Sequence, residues 1–293
     1  MSSELVETEI LGQRLRYRGL EVHTPDALRI SAQDWRLDPP TSHPVRDVLL
    51  IHGISQSHLC WLKQFASPLR ERFRLVTYDL RGHGSSDKPI SEDYYKDGAR
   101  WAGEVQSVID AAELVRPVIV AWSYGGRVAL DYLQTAGAHT ISGLVLVAAT
   151  SCTDPAAFGS GGEILKRMAS ASEPAHNIEA TDAFLRACVA RPLPADEHDL
   201  MLSYNLLVPP AIRAAMGGRA ADYADVLRSL QVPVLAIQGT EDCFTLPAMT
   251  EYTVRTCSTA RALIYNGVGH APFWESPERF NADLASYLTD LRR

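Results

Sequence analysis

No stretch of this chain concentrates positive charge: 28 lysines and arginines face 35 acidic residues, and the net charge is −7. That excludes the electrostatic footprint by which nucleic acid or an anionic membrane would be gripped, and leaves a modest negative charge that favours solubility. No apolar run is long enough to span a bilayer; the longest, such as Gly143–Ala149, are strand-sized. The first residues lack a basic start followed by an apolar run, so no signal peptide is expected. Cysteine is scarce. Cys60, Cys152, Cys188, Cys243 and Cys257 are odd in number and none are spaced as a metal pair, so a reduced, cytoplasmic chain without bound metal is expected. Cys243 reads as a buried small hydrophobe. Repeats and low-complexity tracts are also missing, and nothing in the sequence bears on oligomeric state.

What is present is a rhythm. An apolar fraction of 46 % over 293 residues supports one large core. Val48–Ile51 is a short apolar run with the character of a strand buried on both faces, and Arg74–Asp79, Pro117–Trp122, Gly143–Ala149, Val232–Gln238 and Ala260–Tyr265 repeat as further strands. Ala27–Leu37 alternates weakly and suits an antiparallel strand, followed by a turn at Asp38–Pro44. Helical spacing joins Trp101, Val105, Val108, Ile109 and Ala112 between about Asp97 and Leu114. A final helix is expected after Ser276, as cap, and Pro277, with Phe280, Leu284, Leu288 and Leu291 as its apolar stripe. Strands alternating with helices predict an α/β fold with a mostly parallel, doubly wound sheet.

The rhythm breaks between about Ser151 and Asp225. Roughly 75 residues without a convincing strand exceed what a loop in a compact domain allows. Helical pieces such as Ile178–Ala190 predict a helical cap insertion, residues 151–225, over the carboxyl ends of the strands, where such sheets bind ligands. Residues 1–150 and 226–293 then form the core domain.

The chemistry concentrates at strand ends. Ile119–Trp122 runs straight into Ser123, and Tyr124 opens a helix reaching about Gln134. Small residues stand two positions either side of the serine, Ala121 and Gly125, as a tight strand–turn–helix elbow requires. Glycine is usual at both, so Ala121 is a mild departure. The helix points its positive end at Ser123. A serine hydroxyl needs a base. Of nine histidines, His270 alone follows the final strand and precedes the final helix, in a loop with Gly267 and Gly269. Asp242 follows the strand Val232–Gln238, with Glu241 its direct competitor. The order is then Ser, Asp, His, each at a carboxyl strand end. Backbone N–H groups of Tyr124 and of Ile54, after His52-Gly53, are the candidates for an oxyanion hole. His52 reads as a brace for its loop, and so does His83: no lysine followed by Ser or Thr accompanies the glycines around it, as a phosphate loop would need. Trp61, Trp122, Tyr124, Phe273 and Trp274 are candidate pocket walls, of which Trp122, Phe273 and Trp274 are taken as substrate-binding; the alternative for each is core.

His52-Gly53-Ile54-Ser55, Asp79-Leu80-Arg81-Gly82-His83-Gly84-Ser85-Ser86, the Ser123 elbow, Gly239-Thr240-Glu241-Asp242 and Gly269-His270-Ala271-Pro272-Phe273 stand in the order of the α/β-hydrolase superfamily, which the chain resembles over nearly its whole length. Trp122-Ser123 with His270–Phe273 looks like carboxylesterases, including pimeloyl-carrier methyl esterases, and equally like cofactor-free haloperoxidases and perhydrolases. Haloalkane dehalogenases and epoxide hydrolases carry aspartate in place of Ser123 and are set aside. The resemblance implies a cofactor-free serine hydrolase with a Ser123–His270–Asp242 triad. With the Ala, Leu and Met content of the insertion it implies a small to medium, mostly apolar ester as the partner molecule. Perhydrolysis is the first alternative; a triad-bearing lyase or a ligand receptor follow.

Overall fold

The computed structural model describes residues 3–36, 46–219 and 222–291. The turn expected at Asp38–Pro44 and the strand end expected at Leu37 lie outside them.

Each apolar run becomes a strand: β4 (Arg46–Ile51), β5 (Phe73–Tyr78), β6 (Val118–Trp122), β7 (Gly143–Val147), β8 (Val234–Gly239) and β9 (Ala260–Tyr265). The antiparallel strand β3 (Arg29–Asp34) also falls where alternation placed it. Two strands before it carry no turn signal strong enough to read: β1 (Ser3–Ile10) and β2 (Gln13–His23) form a hairpin. Its two-residue loop, Leu11-Gly12, takes positive φ at both positions (48° and 73°), the twist that suits a tight hairpin. Among the described residues the nine strands run β1-β2-β3-β5-β4-β6-β7-β8-β9, antiparallel through β1, β2, β3 and β5 and parallel from β5 to β9.

Successive residues of β4 to β8 face opposite sides, and both sides are buried, whereas β9 at the sheet edge is largely exposed. Val48, Leu50, Val118, Val120, Val145, Val147, Leu235 and Ile237 share one core cluster with the stripe of the last helix. Leu49, Ile51, Ile119, Ala121, Leu144, Leu146 and Val234 share the other with helices on the opposite face. This double burial explains why the strands read as continuous apolar runs rather than as alternation.

A 3-10 turn at His58–Trp61 and the one-turn helices α1 (Leu62–Phe65), α2 (Leu69–Arg72) and α3 (Asp93–Lys96) precede α4 (Gly98–Ala111), which starts because Asp97 accepts the Ala99 N–H at 2.9 Å. The elbow helix is α5 (Tyr124–Ala136). Between β7 and β8 come α6 (Gly161–Ser170), α7 (Pro174–Ala187), α8 (Ala195–Leu206), α9 (Pro210–Met216) and α10 (Ala224–Ser229). The expected Ile178–Ala190 helix thus begins earlier, because Pro174 occupies its first turn and Glu173 caps the His176 N–H at 3.1 Å. After β8 come α11 (Pro247–Thr256), α12 (Pro272–Glu275) and α13 (Pro277–Asp290). Ser276 precedes α13, but its side chain makes no capping bond; its carbonyl instead accepts the Phe280 N–H at 2.9 Å.

Candidate active site

At the end of β6 the backbone turns sharply. Ser123 takes φ 54° and ψ −117°, a conformation that costs an L-residue about 1–3 kcal/mol. Hydrogen bonds impose it. The Ser123 N–H donates to Val147 O at 3.0 Å, and its carbonyl accepts the N–H groups of Gly126 (3.0 Å) and Thr150 (3.1 Å). The need for a small residue at position 125 is explicit, since a Cβ there would lie 2.7 Å from the carbonyl oxygens of both Ile51 and His52. Gly53 approaches from the neighbouring strand, where a Cβ would stand 3.1 Å from Ser123 Cβ. Tyr124 is the first residue of α5, so its N–H has no acceptor within the helix.

Asp242 and His270 meet: Nδ1 of His270 lies 2.7 Å from Asp242 Oδ2, and both side chains are buried. That carboxylate is thoroughly held. Oδ2 also accepts from Gln238 Nε2 and Thr245 Oγ1, each at 2.9 Å, and Oδ1 from the N–H groups of Phe244 (2.8 Å) and Thr245 (3.1 Å). Burial works against its charge, but His270 and these donors outweigh it and hold the Asp242 pKa below the ordinary carboxylate value. Glu241, the competitor, is exposed; its N–H donates to Val268 O and its carboxylate takes the Thr240 hydroxyl.

Three contacts fix the His270 loop. Trp122 Nε1 donates to His270 O at 2.7 Å, tying the histidine to the residue before Ser123. The His270 N–H donates to Cys188 O at 2.9 Å, at the end of α7. Glu275 bridges the same two segments, accepting the Gly269 N–H on Oε1 (2.8 Å) and the Ala190 N–H on Oε2 (2.7 Å). Gln238, Thr245 and Glu275 escaped the sequence reading; a buried glutamine closing an apolar strand was the one available signal.

His52 and His83 brace the loop beyond β4. His52 Nδ1 donates to Gly53 O (2.8 Å) while Nε2 accepts the Leu80 N–H (3.0 Å). His83 Nδ1 donates to Arg81 O (2.9 Å) and Nε2 accepts the Ser55 N–H (3.0 Å). Each ring must therefore be neutral. Burial, the largest cause, pulls their pKa values to about 4 and about 3.

The aromatic candidates are placed as core. Trp122, Phe273 and Trp274 are 3 %, 1 % and 1 % exposed, and Trp274 also lines a pocket with Lys63, Arg191 and Glu197. Phe273 packs between Trp61 (4.4 Å between ring centres) and Trp122 (4.8 Å), while Trp274 Nε1 donates to Glu197 Oε2 at 2.6 Å. Large apolar rings, on a strand as at Trp122 or a short helix as at Phe273 and Trp274, fill the interior first. Phe244 meets His270 at 5.0 Å between ring centres, and Phe184 of α7 packs on Phe244 at 5.4 Å. Cys243 is half-buried rather than buried, its thiol 3.4 Å from Ala187 O.

A mostly parallel sheet with a strained serine at a strand–helix turn and a buried Asp–His pair at two later strand ends defines a hydrolase class of fold. Residues 48–283 match the alpha/beta hydrolase family, and the chain belongs to it. A solved esterase from Rhodococcus sp. ECU1013 is similar at 31 % identity and a TM-score of 0.85, over 94 % of this chain and 99 % of that one. The pimeloyl-[acyl-carrier protein] methyl ester esterase of Nitrosomonas europaea is 26 % identical over 80 % of this chain and 92 % of its own. The non-heme chloroperoxidase of Streptomyces lividans is 25 % identical over 91 % and 98 %.

Proposed function

We propose that this chain is a carboxylic ester hydrolase working through an acyl-enzyme on Ser123. The observation that carries the reading is the buried 2.7 Å contact of His270 Nδ1 with Asp242, which leaves Nε2 as the free basic nitrogen. Nε2 takes the Ser123 proton as Oγ attacks the ester carbonyl. The N–H groups of Ile54 and Tyr124 hold the oxyanion. The alcohol leaves with the proton from His270. Water, deprotonated by the same nitrogen, then attacks the acyl carbon and releases the acid, returning the proton to Ser123. Asp242 orients the imidazole and balances its transient charge. Residues 151–225 act as the cap, a reading supported by Phe184 of α7, which packs edge-on against Phe244 where that ring meets His270. The test is hydrolysis of a p-nitrophenyl ester series by the wild type and by Ser123→Ala. Loss of about 10³-fold or more in kcat is expected; turnover that survives the substitution refutes the reading. Similarity to a non-heme chloroperoxidase favours one second reading, perhydrolysis, in which hydrogen peroxide replaces water against the acyl-enzyme. Peracid formation from acetate and peroxide, outpacing ester hydrolysis, would select it.

A further inference from the structure

The insertion holds a buried cation with only neutral neighbours. Arg213, on α9, is 1 % exposed. Its Nη1 donates to Asn177 Oδ1 (2.6 Å) and Thr181 Oγ1 (3.2 Å), both on α7, and its Nη2 donates to Asn205 O (2.7 Å) on α8. None of these acceptors is charged. Other deeply buried arginines of the chain are paired with acids: Arg81 with Glu104 (2.7 Å) and Asp26 (2.8 Å), Arg74 with Asp34 (2.9 Å) and Arg219 with Asp131 (2.6 Å). Among the described residues Arg213 has no such ion pair within 4.0 Å. Burial pulls its pKa down to about 10, so it stays charged at neutral pH.

A guanidinium carries five N–H donors, and three are used here. The Nε–H, buried and without a partner among the described residues, remains together with one N–H on Nη2. Nε and Nη2 form one edge of the planar fork, the geometry that a carboxylate fits with two parallel hydrogen bonds.

The location is next to the loop that follows β4. The Asn205 side chain exchanges weak hydrogen bonds with that of Gln56 (3.4 and 3.5 Å), two residues beyond Ile54. Ile212 packs on the turn at Gly82, where a Cβ would come within 2.7 Å of it. The charge of Arg213 reaches His83, the ring that accepts the Ser55 N–H. Ser55 itself has a buried hydroxyl without a partner among the described residues.

We propose that the Arg213 guanidinium and the Ser55 hydroxyl form a carboxylate-binding subsite beside the oxyanion loop, selecting esters that carry a free carboxylate, such as half-esters of dicarboxylic acids. This rests on the esterase reading and amends the expectation of an uncharged, mostly apolar substrate. The apolar rings beside His270 would then line the chain between the ester and its carboxylate.

The test uses the full chain with monomethyl and dimethyl esters of succinate, glutarate and adipate, followed by acid release. For at least one chain length the wild type should favour the half-ester by tenfold or more in kcat/KM. Arg213→Gln should erase that preference while leaving the diester within about threefold, and Arg213→Lys should retain part of it. A wild type that prefers diesters at every length, or an Arg213→Gln variant that loses both substrates equally, overturns the proposal. Calorimetric titration of the wild type with free glutarate, and with dimethyl glutarate as control, does not depend on turnover or on the variant folding. Binding of the dianion alone supports the subsite, and equal binding or none refutes it. If no ester is hydrolysed yet glutarate binds and Arg213→Lys weakens it, the esterase reading fails and the subsite stands.

Discussion

Acidification from pH 7 to pH 5 is expected to weaken this protein through two buried imidazoles that never touch substrate. In the folded state His52 and His83 each accept a backbone N–H, from Leu80 and Ser55, and protonation would turn each acceptor into a donor facing a donor. Their folded pKa values are held down to about 4 and about 3, against 6.5 when the chain is unfolded. The sign follows from proton uptake. Below pH 6.5 the unfolded chain binds protons that the folded one refuses, so stability is complete above about pH 6.5 and drains as pH falls toward the folded values. At pH 5 an unfolded histidine is almost fully protonated and either folded ring almost fully neutral, which is about 2 kcal/mol per ring and about 4 kcal/mol together. That is a large part of the 5–15 kcal/mol typical of a domain, here located in the loop that carries Ile54. Urea unfolding at pH 7, 6 and 5 reads the loss directly, and His83→Gln should cut the pH 7 to pH 5 difference by about half. A wild-type difference below about 1 kcal/mol, or an unchanged difference in His83→Gln, would refute the assignment of neutral, bracing imidazoles.

Glu275→Gln replaces one acceptor oxygen with an amide that faces an N–H donor of Gly269 or Ala190. We expect kcat to fall about 10- to 100-fold, as for a lost charge-assisted hydrogen bond, with a melting temperature lowered by a few degrees; an unchanged pH–rate profile and kcat would remove Glu275 from the positioning of His270. Gly125→Ala puts a methyl 2.7 Å from two backbone oxygens of the β4 end, so a destabilisation of about 1–3 kcal/mol by denaturant titration is expected, with activity lost even where the fold survives. Wild-type stability in this variant would mean that the elbow can relax. Further acidification should add the loss of Asp26, whose pKa lies at about 2 because Arg81, Thr24 and Arg100 outweigh its partial burial. Its contribution is present above the unfolded pKa and disappears as pH falls toward 2, so Asp26→Asn should flatten the stability curve between about pH 4 and pH 2.

Much of this molecule is written in short-range pattern. A strand buried on both faces needs a continuous apolar run, and a turn beyond it needs small residues. The inner parallel strands β4 to β8, the Ser123 elbow and the loops bearing Asp242 and His270 were therefore legible from neighbours a few positions apart. The helices between β7 and β8 fall where no strand was expected. The β1–β2 hairpin did not, because Leu11-Gly12 lacks the Asn or Asp that marks such turns.

Other questions belonged to the tertiary structure, because their answers lie far along the chain. Asp242 rather than Glu241 faces His270, 28 residues away, since the N–H groups of Phe244 and Thr245 turn its carboxylate inward while Val268 O holds the Glu241 backbone. Trp122 reads as a pocket wall until its indole N–H is seen on His270 O, 148 residues on. Arg213 is one arginine among many until folding surrounds it with Asn177, Thr181 and Asn205 and no acid. A sequence determines which residues will be buried, through periodicity and polarity, but which partner each buried polar group finds depends on chain segments brought together only by the packed sheet and its insertion.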